Sequence, residues 1–261
     1  MIERSLQLLG VYKLYERLLL RKILRSGVPQ HLAVILDGNR RWASMSGLAM
    51  LDGYRRGAEK VDELLEWCFE LGIKVITLYV LSLENMKLRS GRELDLIYRL
   101  LVEKSEQYQK DRRITSNKVR IRVIGRKWML PPHVREALER LEEKTSSNDS
   151  YYINVAVAYG GRAEIVDAIK AIVDEVRDGK ISLESLDEDK FATYLYTNGV
   201  PYPYPDLVIR TSGTERISNF LLWQIAYSEL VFLEVYWPEL RKIDLLRAIR
   251  TYQERSRNFG A

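Results

Sequence analysis

The chain has 261 residues, 46% of them hydrophobic, with one cysteine and a formal net charge of +5. The single cysteine, Cys68, excludes an internal disulfide and indicates a cytoplasmic protein, and no apolar run approaches the roughly 18 residues of a membrane-spanning helix. The positive charge favours acidic partners, but no nucleic-acid-binding motif accompanies it, so we expect no nucleic-acid ligand.

Residues 1–27 predict an amphipathic helix in which apolar and basic residues recur at helical spacing. The favoured interpretation is a helix packed on the rest of the protein, and the alternative is a helix lying peripherally on an anionic membrane surface at the inner face of the membrane. Residues 28–261 contain no linker and no repeat, so they predict a single domain.

Short apolar runs alternate with helical segments along the rest of the chain. The strand-like runs are HLAVIL, KVITLYVL, VRIRVIG, YYINVAVAYG, DLVIRT and LVFLEVY, and the helical segments span residues 57–71, 92–108, 131–144, 162–178 and 243–258. Strands that are apolar along their whole length are typical of a parallel sheet covered on both faces. The pattern therefore predicts an α/β fold with a mostly parallel central sheet of about six strands flanked by helices.

The first polar cluster, DGNRRW, directly follows the first predicted strand. Ligands of open α/β sheets collect beyond the carboxyl ends of the strands. Gly38 allows close backbone approach, Arg40 and Arg41 suit phosphate oxygens, and Asp37 would need a divalent cation, most simply Mg²⁺, between itself and a phosphate. An ordinary Asp-Gly turn with surface arginines explains this cluster equally well.

A second anion-binding cluster, RTSGTERIS, follows the fifth predicted strand. Arg210 and Arg216 are placed to grip a diphosphate, and Glu229 is a candidate second metal ligand. Two diphosphate sites and one metal predict two phosphorylated substrates, and the lack of a P-loop or G-x-G-x-x-G motif argues against a nucleotide. The helices after the first two polar clusters have apolar faces, which either pack in the core or line a slot for a hydrocarbon chain. The residues on these faces are Leu64, Leu65, Leu94, Ile97, Leu101 and Val102.

Four blocks of the sequence resemble the cis-prenyltransferases, the undecaprenyl diphosphate synthase family. They are HLAVILDGNRRWA, TLYVLSLENM, NVAVAYGGRAEIVDA and DLVIRTSGTERISNFLLWQIAYSELVF. The lead-in YKLYERLLLRKILRSGVPQ resembles the archaeal branch, and the similarity runs from about Tyr12 to the carboxyl terminus. The resemblance implies a homodimer with a hydrophobic tunnel that adds isopentenyl diphosphate to an allylic diphosphate with Mg²⁺, forming cis double bonds.

The same resemblance implies roles for individual residues. Asp37 matches the aspartate that holds Mg²⁺ on a diphosphate, and Asn85 matches the asparagine that takes part in proton removal. Glu229 matches the acidic residue that joins the metal site from the partner subunit. The implied substrate-binding residues are Gly38, Asn39, Arg40, Arg41, Trp42, Met50 and Tyr54 around the allylic diphosphate, Ser82, Leu83, Glu84, Met86 and Leu88 in the second block, and Arg210, Arg216, Ile217 and Ser218 around isopentenyl diphosphate.

Several of these positions depart from the family pattern. Met50 and Tyr54 stand where arginine and histidine are usual, Leu88 replaces an arginine with Arg89 one place later, and Thr214 replaces a glutamate. The principal hypothesis is a synthase that extends geranylgeranyl or farnesyl diphosphate to a long polyprenyl diphosphate, a glycosyl carrier lipid precursor. Two alternatives are a member that makes a single condensation with an altered acceptor and a non-catalytic isoprenoid-binding accessory subunit, which the retained Asp37 disfavours.

Overall fold

A six-stranded, entirely parallel sheet forms the centre of the protein in a computed structural model that describes residues 11–256. Its strands are β1 His31–Ile35, β2 Val75–Ser82, β3 Val119–Ile124, β4 Tyr151–Tyr159, β5 Leu207–Arg210 and β6 Glu229–Phe232. Their spatial order is β3-β4-β2-β1-β5-β6. The predicted α/β fold with about six mostly parallel strands is confirmed.

Helices cover both faces of the sheet. They are α1 Val11–Arg25, α2 Asn39–Met45, α3 Met50–Leu71, α4 Leu83–Leu88, α5 Gly91–Tyr108, α6 Arg112–Ser116, α7 Pro132–Thr145, α8 Gly161–Arg177, α9 Glu188–Ala192 and α10 Lys242–Ser256. Three single 3₁₀ turns lie at Lys127–Met129, Leu183–Ser185 and Trp237–Glu239. All five predicted helices are present with shifted ends, and residues 257 and 258 of the last lie outside the described part.

Helix α3 begins earlier than its sequence pattern predicts, because Gly53 and Gly57 are helical residues rather than a helix start. A Cβ atom at Gly53 would lie 2.5 Å from the carbonyl oxygen of Asn39, and one at Gly57 would lie 2.1 Å from the Asn39 side-chain oxygen. The glycines allow α3 to pack directly on α2, and this packing outweighs their low helix propensity.

Helix α1 packs against the domain, as the favoured interpretation of the amino-terminal segment expects. Leu19 and Ile23 are buried in the same core as α3 and α10, whereas Leu14, Leu18 and Leu24 are exposed. Residues 1–10, which include part of the predicted amphipathic helix, lie outside the described residues. Among residues 11–256, no helix has both the length and the apolar character needed to cross a membrane.

A histidine is buried in the middle of the sheet. His31 of β1 has no solvent exposure, and its Nε2 lies 2.7 Å from the hydroxyl oxygen of Thr77 on β2. Burial lowers the His31 pKa to about 3, and the nearby backbone of Tyr202 and Tyr204 opposes the shift only in part. His31 is therefore neutral in the native protein across the physiological range.

We expect the protein to lose stability as the pH falls from about 6.5 towards 3. In this range the unfolded chain binds a proton at His31 and the native chain does not, so the free energy of unfolding falls by about 1.4 kcal/mol per pH unit. Urea unfolding between pH 4 and 7 measures this slope. His31→Gln should flatten it, and replacing the exposed His133 with glutamine should not; an equal slope in wild type and His31→Gln would contradict the assignment.

Candidate functional site

The loops that follow β1 and β5 lie at the point in the sheet where the order of the strands reverses. From β1 the chain proceeds to β2 on one side, whereas β5 lies on the other side of β1. The loops after β1 and β5 therefore diverge and leave a crevice, where ligands of such sheets bind. A polar pocket of about 740 Å³ occupies it and reaches from Asp37 to Arg210.

Asp37 lies at the centre of the polar pocket and joins the two predicted anion sites. Its Oδ2 accepts hydrogen bonds from Arg210 Nη2 at 2.8 Å and from the Ser212 hydroxyl at 2.9 Å. Its Oδ1 accepts one from Arg41 Nη2 at 3.1 Å. The Thr211 hydroxyl donates to the Asp37 backbone carbonyl at 2.7 Å, so the β5 loop holds both the backbone and the carboxylate of Asp37.

These contacts keep the Asp37 carboxyl group ionised. Burial raises the pKa, but hydrogen bonds from Arg210 and Ser212 and the charges of Arg210 and Arg41 outweigh it, so the Asp37 pKa lies below its ordinary value. An ionised carboxylate between arginines can bind a cation once a diphosphate takes over the guanidinium groups.

The β1–α2 turn provides one wall of the polar pocket. Gly38 has φ 109°, and a Cβ atom there would lie 2.6 Å from Tyr236 Cδ1, so the position requires glycine for both its backbone conformation and its contact. Arg40 and Arg41 follow on α2; Arg41 also donates to the Ser212 hydroxyl at 2.7 Å. Two guanidinium groups thus face the pocket beside Asp37.

The β5–β6 loop provides the opposite wall. Arg210 is buried and donates from Nη1 to the Ser218 hydroxyl at 2.6 Å and to the Arg216 carbonyl oxygen. Ser212, Ser218 and the neighbouring Asn219 have positive φ angles, which non-glycine residues seldom adopt. This backbone arrangement folds the loop around the Arg210 guanidinium and is part of a preorganised anion site.

The β2–α4 junction closes the third side. The Ser82 hydroxyl caps α4 by accepting a hydrogen bond from the Asn85 backbone N–H at 3.0 Å. This bond fixes the position of Asn85 in the first turn of the helix. The Glu84 carboxylate accepts from Asn219 Nδ2 at 2.7 Å and links this junction to the β5–β6 loop. Ser82, Glu84 and Asn85 all line the polar pocket.

An apolar cavity of about 140 Å³ opens from the polar pocket. The two share Leu36, Asn39, Tyr54, Val80 and Arg89, which form the neck between them. Of the six apolar residues proposed for a hydrocarbon slot, Leu65, Ile97 and Leu101 line the cavity, whereas Leu64, Leu94 and Val102 pack in the core beside it.

A buried acid that the sequence analysis did not identify organises the neck. Glu93 accepts hydrogen bonds from the Tyr54 hydroxyl at 2.5 Å and from Arg40 Nη1 at 3.2 Å, and Arg89 Nε lies 3.3 Å from its Oε1. The Arg89 guanidinium lies over the Tyr54 ring. Burial, offset in part by the Arg89 charge, raises the Tyr54 pKa well above its usual range, so Tyr54 remains a neutral donor.

The structure brings together twelve of the predicted site residues and leaves the others outside the polar pocket. Those in its wall are Asp37, Gly38, Asn39, Arg40, Arg41, Tyr54, Ser82, Glu84, Asn85, Arg210, Arg216 and Ser218. The pocket is also lined by residues not proposed as binding residues, among them Arg89, Arg162, Thr214 and Asn219. Of these four, the sequence analysis had noted Arg89, which lies one place after the usual arginine of the family, and Thr214, which replaces a glutamate.

Seven proposed positions are not in the wall of the polar pocket. Trp42, Met50, Leu83, Met86 and Ile217 are partly buried away from it. Leu88 ends α4 with its side chain 83% exposed, and Arg89 reaches the pocket instead because it lies beyond the helix in extended backbone. Substrate contact at these positions stays a prediction.

Glu229, the predicted second metal ligand, also lies outside the polar pocket. It begins β6 beside Leu207, at the amino end of the sheet edge, and its carboxylate bonds Arg255 Nη1 at 3.1 Å. Parallel pairing places Glu229 at the end of the strand opposite the pocket, so within one chain it lies away from Asp37. A contribution from a partner subunit stays a prediction.

A divalent cation fits Asp37 only together with a substrate. No group of three or more histidine, cysteine or acidic side chains lies together in residues 11–256. Mg²⁺ commonly binds one or two carboxylates while substrate phosphates and water supply its remaining ligands. The single ionised Asp37 beside an anion site has the chemistry of that arrangement.

The fold and the pocket define a class of protein, an open parallel α/β sheet with an anion-binding crevice joined to an apolar cavity. The sequence model of the prenyltransferase family, described as undecaprenyl diphosphate synthase, matches residues 35–260. Similar proteins include the tritrans,polycis-undecaprenyl-diphosphate synthases (geranylgeranyl-diphosphate specific) of Pyrococcus furiosus and Methanopyrus kandleri. The first is 50% identical over 95% of this chain and 93% of its own, and the second is 48% identical over 96% and 91%.

Two solved structures are also similar. Lavandulyl diphosphate synthase from Lavandula x intermedia, in complex with dimethylallyl diphosphate, has a TM-score of 0.82 at 33% identity, covering 87% of this chain and 95% of that one. A probable undecaprenyl diphosphate synthase from Campylobacter jejuni has a TM-score of 0.72 at 33% identity, covering 90% and 100%. The chain belongs to the undecaprenyl diphosphate synthase family and is a cis-prenyltransferase, which confirms the family prediction.

Proposed function

We propose that this protein condenses isopentenyl diphosphate onto geranylgeranyl diphosphate, repeatedly and in the cis configuration, to make a long polyprenyl diphosphate that is a precursor of a glycosyl carrier lipid. The observation that carries the proposal is the junction of two arginine-lined anion sites at Asp37 with an apolar cavity leading away from them. The name of the archaeal relatives supports geranylgeranyl diphosphate as the starter.

The reaction requires cleavage of the allylic C–O bond, whose electron pair leaves with the diphosphate. Arg40 and Arg41 would stabilise the charge that develops on this leaving group, since fixed donors act most strongly where charge develops. The apolar cavity excludes water from the allylic carbon. Arg210, Arg216 and Ser218 would hold isopentenyl diphosphate so that its double bond faces that carbon.

The new C–C bond forms from the double bond of isopentenyl diphosphate, and loss of a proton then creates the cis double bond. Asn85 lies in the same pocket wall and is proposed to orient the group that accepts this proton. Asp37 would hold Mg²⁺, which when bound neutralises charge on the diphosphate. Hydrogen bonds from Arg210 and Ser212 and the charges of Arg210 and Arg41 outweigh the effect of burial on the Asp37 pKa and keep the carboxylate deprotonated for this purpose.

A second candidate is a single condensation with an altered acceptor. The small volume of the apolar cavity, about 140 Å³, favours it, as does the similarity to a synthase bound to the five-carbon dimethylallyl diphosphate. A non-catalytic accessory role lacks such an observation, since Asp37 and the arginines of both anion sites are retained.

Product analysis separates these candidates. Purified protein is incubated with Mg²⁺, labelled isopentenyl diphosphate and geranylgeranyl, farnesyl or dimethylallyl diphosphate, and products are resolved by chain length. We expect a ladder ending in a long product with geranylgeranyl diphosphate and no incorporation after chelation of Mg²⁺. One added unit with any starter would support the second candidate, and no incorporation with any starter would contradict both.

We further propose that two copies associate through α8. Its outer face exposes Val166, Ile169 and Val173 at helical spacing. A stripe of this kind is typical of an interface. Light scattering should give twice the 30.5 kDa mass of one chain; a monomer at micromolar concentration would contradict it.

Contact with a membrane is the remaining proposal. The exposed side chains Leu14, Leu18 and Leu24 on α1 lie among Arg17 and Arg21, a combination suited to a peripheral position at the cytoplasmic face of an anionic bilayer. Co-sedimentation should show binding to vesicles of anionic phospholipid and none to neutral vesicles. Equal binding to both, or to neither, would contradict it.

A further inference from the structure

The apolar cavity is too small for the starter that the proposed function requires. Its volume is about 140 Å³, and an apolar cavity of about 150 Å³ accommodates a benzene-sized molecule. Geranylgeranyl diphosphate has a hydrocarbon chain of twenty carbon atoms, and each cycle adds five more. A growing product therefore needs more space than this cavity offers.

Helices α3 and α5 form one side of the cavity, and strands β2, β3 and β4, which are held by the hydrogen bonds of the sheet, form another. We therefore expect the helices to move before the strands do. On α3 the cavity is lined from Tyr54 at the neck to Leu65, a span of about 16 Å at 1.5 Å per residue. On α5 the lining continues from Ile97 to Tyr108. Residues late in both helices therefore lie at the far end of the cavity, away from the diphosphate sites.

A polar cluster joins the two helices at this far end. Lys104 Nζ on α5 lies 2.5 Å from Asp62 Oδ2 on α3, and the Tyr108 hydroxyl donates to Asp62 Oδ1 at 2.8 Å. Lys104 and Tyr108 line the cavity, whose wall is otherwise mainly apolar. We name Asp62, Lys104 and Tyr108 the far latch.

The far latch is partly shielded from solvent. The side chains of Lys104 and Asp62 are 21% and 19% exposed, and the Lys104 ammonium also lies 5.7 Å from the centre of the Tyr108 ring. Arg113 reaches the other side of Asp62, with Nη2 3.9 Å from Oδ1, but Asp111 binds the same guanidinium group. A hydrocarbon chain that arrives here offers no hydrogen bond to replace those it would break.

We propose that the far latch sets the length of the product by holding α3 against α5 at the end of the cavity. The inference rests on the proposed function, in which the hydrocarbon chain grows from the neck into the cavity. Elongation continues while the chain can spread the apolar part of the walls, and it stops when further growth must break the Asp62–Lys104 ion pair.

Substitutions in the far latch test this inference by product length. Lys104→Met keeps an unbranched side chain but removes the charge, and Asp62→Asn keeps the shape of its partner. With geranylgeranyl and isopentenyl diphosphate, each variant should give products longer than those of the wild type by at least one five-carbon unit. The double variant should give no further increase, because both changes open the same contact.

Lys242→Met is the matched control. Lys242 Nζ bonds Glu70 Oε2 of α3 at 2.6 Å with a side chain 18% exposed, so it also joins α3 to another helix but does not line the cavity. Its product length should equal that of the wild type. Unchanged product lengths in active Lys104→Met and Asp62→Asn proteins, or longer products in the control, would overturn the inference.

A binding measurement keeps the inference testable without turnover. The dissociation constants of geranylgeranyl diphosphate and of a longer prenyl diphosphate are measured by calorimetry. Lys104→Met should tighten binding of the longer ligand several-fold more than that of geranylgeranyl diphosphate, and equal changes would overturn the far latch. Loss of incorporation in the wild type with every starter would instead overturn the proposed function, which this comparison does not require.

Discussion

Asp37→Ala is expected to lower kcat by about 10³-fold, which corresponds to about 4 kcal/mol of transition-state stabilisation. Asp37 is the ionised group to which both anion sites connect, through Arg41 on one side and Arg210 on the other. Its removal eliminates the proposed Mg²⁺ ligand and also leaves the buried Arg210 without its carboxylate. Steady-state kinetics with saturating geranylgeranyl diphosphate measures the loss.

Two further variants separate chemistry from folding. Asp37→Asn preserves the shape of the side chain and should show a similar loss, because an amide is a poor Mg²⁺ ligand and lacks the charge. Asp95→Ala removes an exposed acid on α5 and should leave kcat unchanged. Nearly full activity in a folded Asp37→Asn protein would contradict the role given to Asp37.

Arg210→Lys is expected to raise the KM for isopentenyl diphosphate by about 10²-fold, with little change in the KM for the allylic starter. The Arg210 guanidinium bonds Asp37 from one nitrogen and Ser218 from the other, at 2.8 and 2.6 Å. A lysine ammonium is a point charge that cannot span both partners in this planar geometry. Initial rates with each substrate varied in turn give the two KM values.

Arg55→Lys, on an exposed position of α3, is the control and should change neither KM. An Arg210→Lys enzyme whose KM rises equally for both substrates would contradict the separation of the two anion sites. Combined with Asp37→Asn, the Arg210 substitution should cost less than the sum of the two single losses, because the residues share one contact.

The fold was predictable because its signals are local and repeated. Strands β1 and β5 are buried along their whole length, as the runs HLAVIL and DLVIRT predict, whereas the edge strands β3 and β6 are less buried. The alternation with helices then requires crossover connections, which parallel strands need. The start of α3 was missed because Gly53 and Gly57 are selected by contact with Asn39, which lies outside the helix.

The site was predictable where a loop residue directly follows a strand. Arg210 ends β5, and Asp37 follows the end of the adjacent parallel strand β1. The order of the strands in the sheet therefore places the two residues close together. Arg89 lines the pocket in place of Leu88 because α4 ends between the two residues. The sequence does not define a helix end to within one residue. Glu229 directly precedes the predicted strand LVFLEVY, so the sequence already indicates the amino end of β6, and its proposed role in metal binding depends on a partner subunit.

Glu93 shows what a sequence pattern alone does not reveal. An acid in the first turn of α5 is ordinarily explained by the helix dipole and exposed to solvent. Here the Glu93 side chain is 5% exposed and accepts hydrogen bonds from Tyr54 on α3 and Arg40 on α2. Only the packing of α2, α3 and α5 brings these partners to it, and no local spacing encodes that packing.

The most direct test of the account is a crystal structure with a non-reactive thiolo analogue of geranylgeranyl diphosphate. We predict its diphosphate beside Asp37 and Arg41 and its hydrocarbon chain through the neck at Tyr54 and Arg89, with α3 and α5 further apart than in the ligand-free protein. A diphosphate bound only at Arg210 and Ser218, or a chain lying outside the α3–α5 cavity, would contradict it.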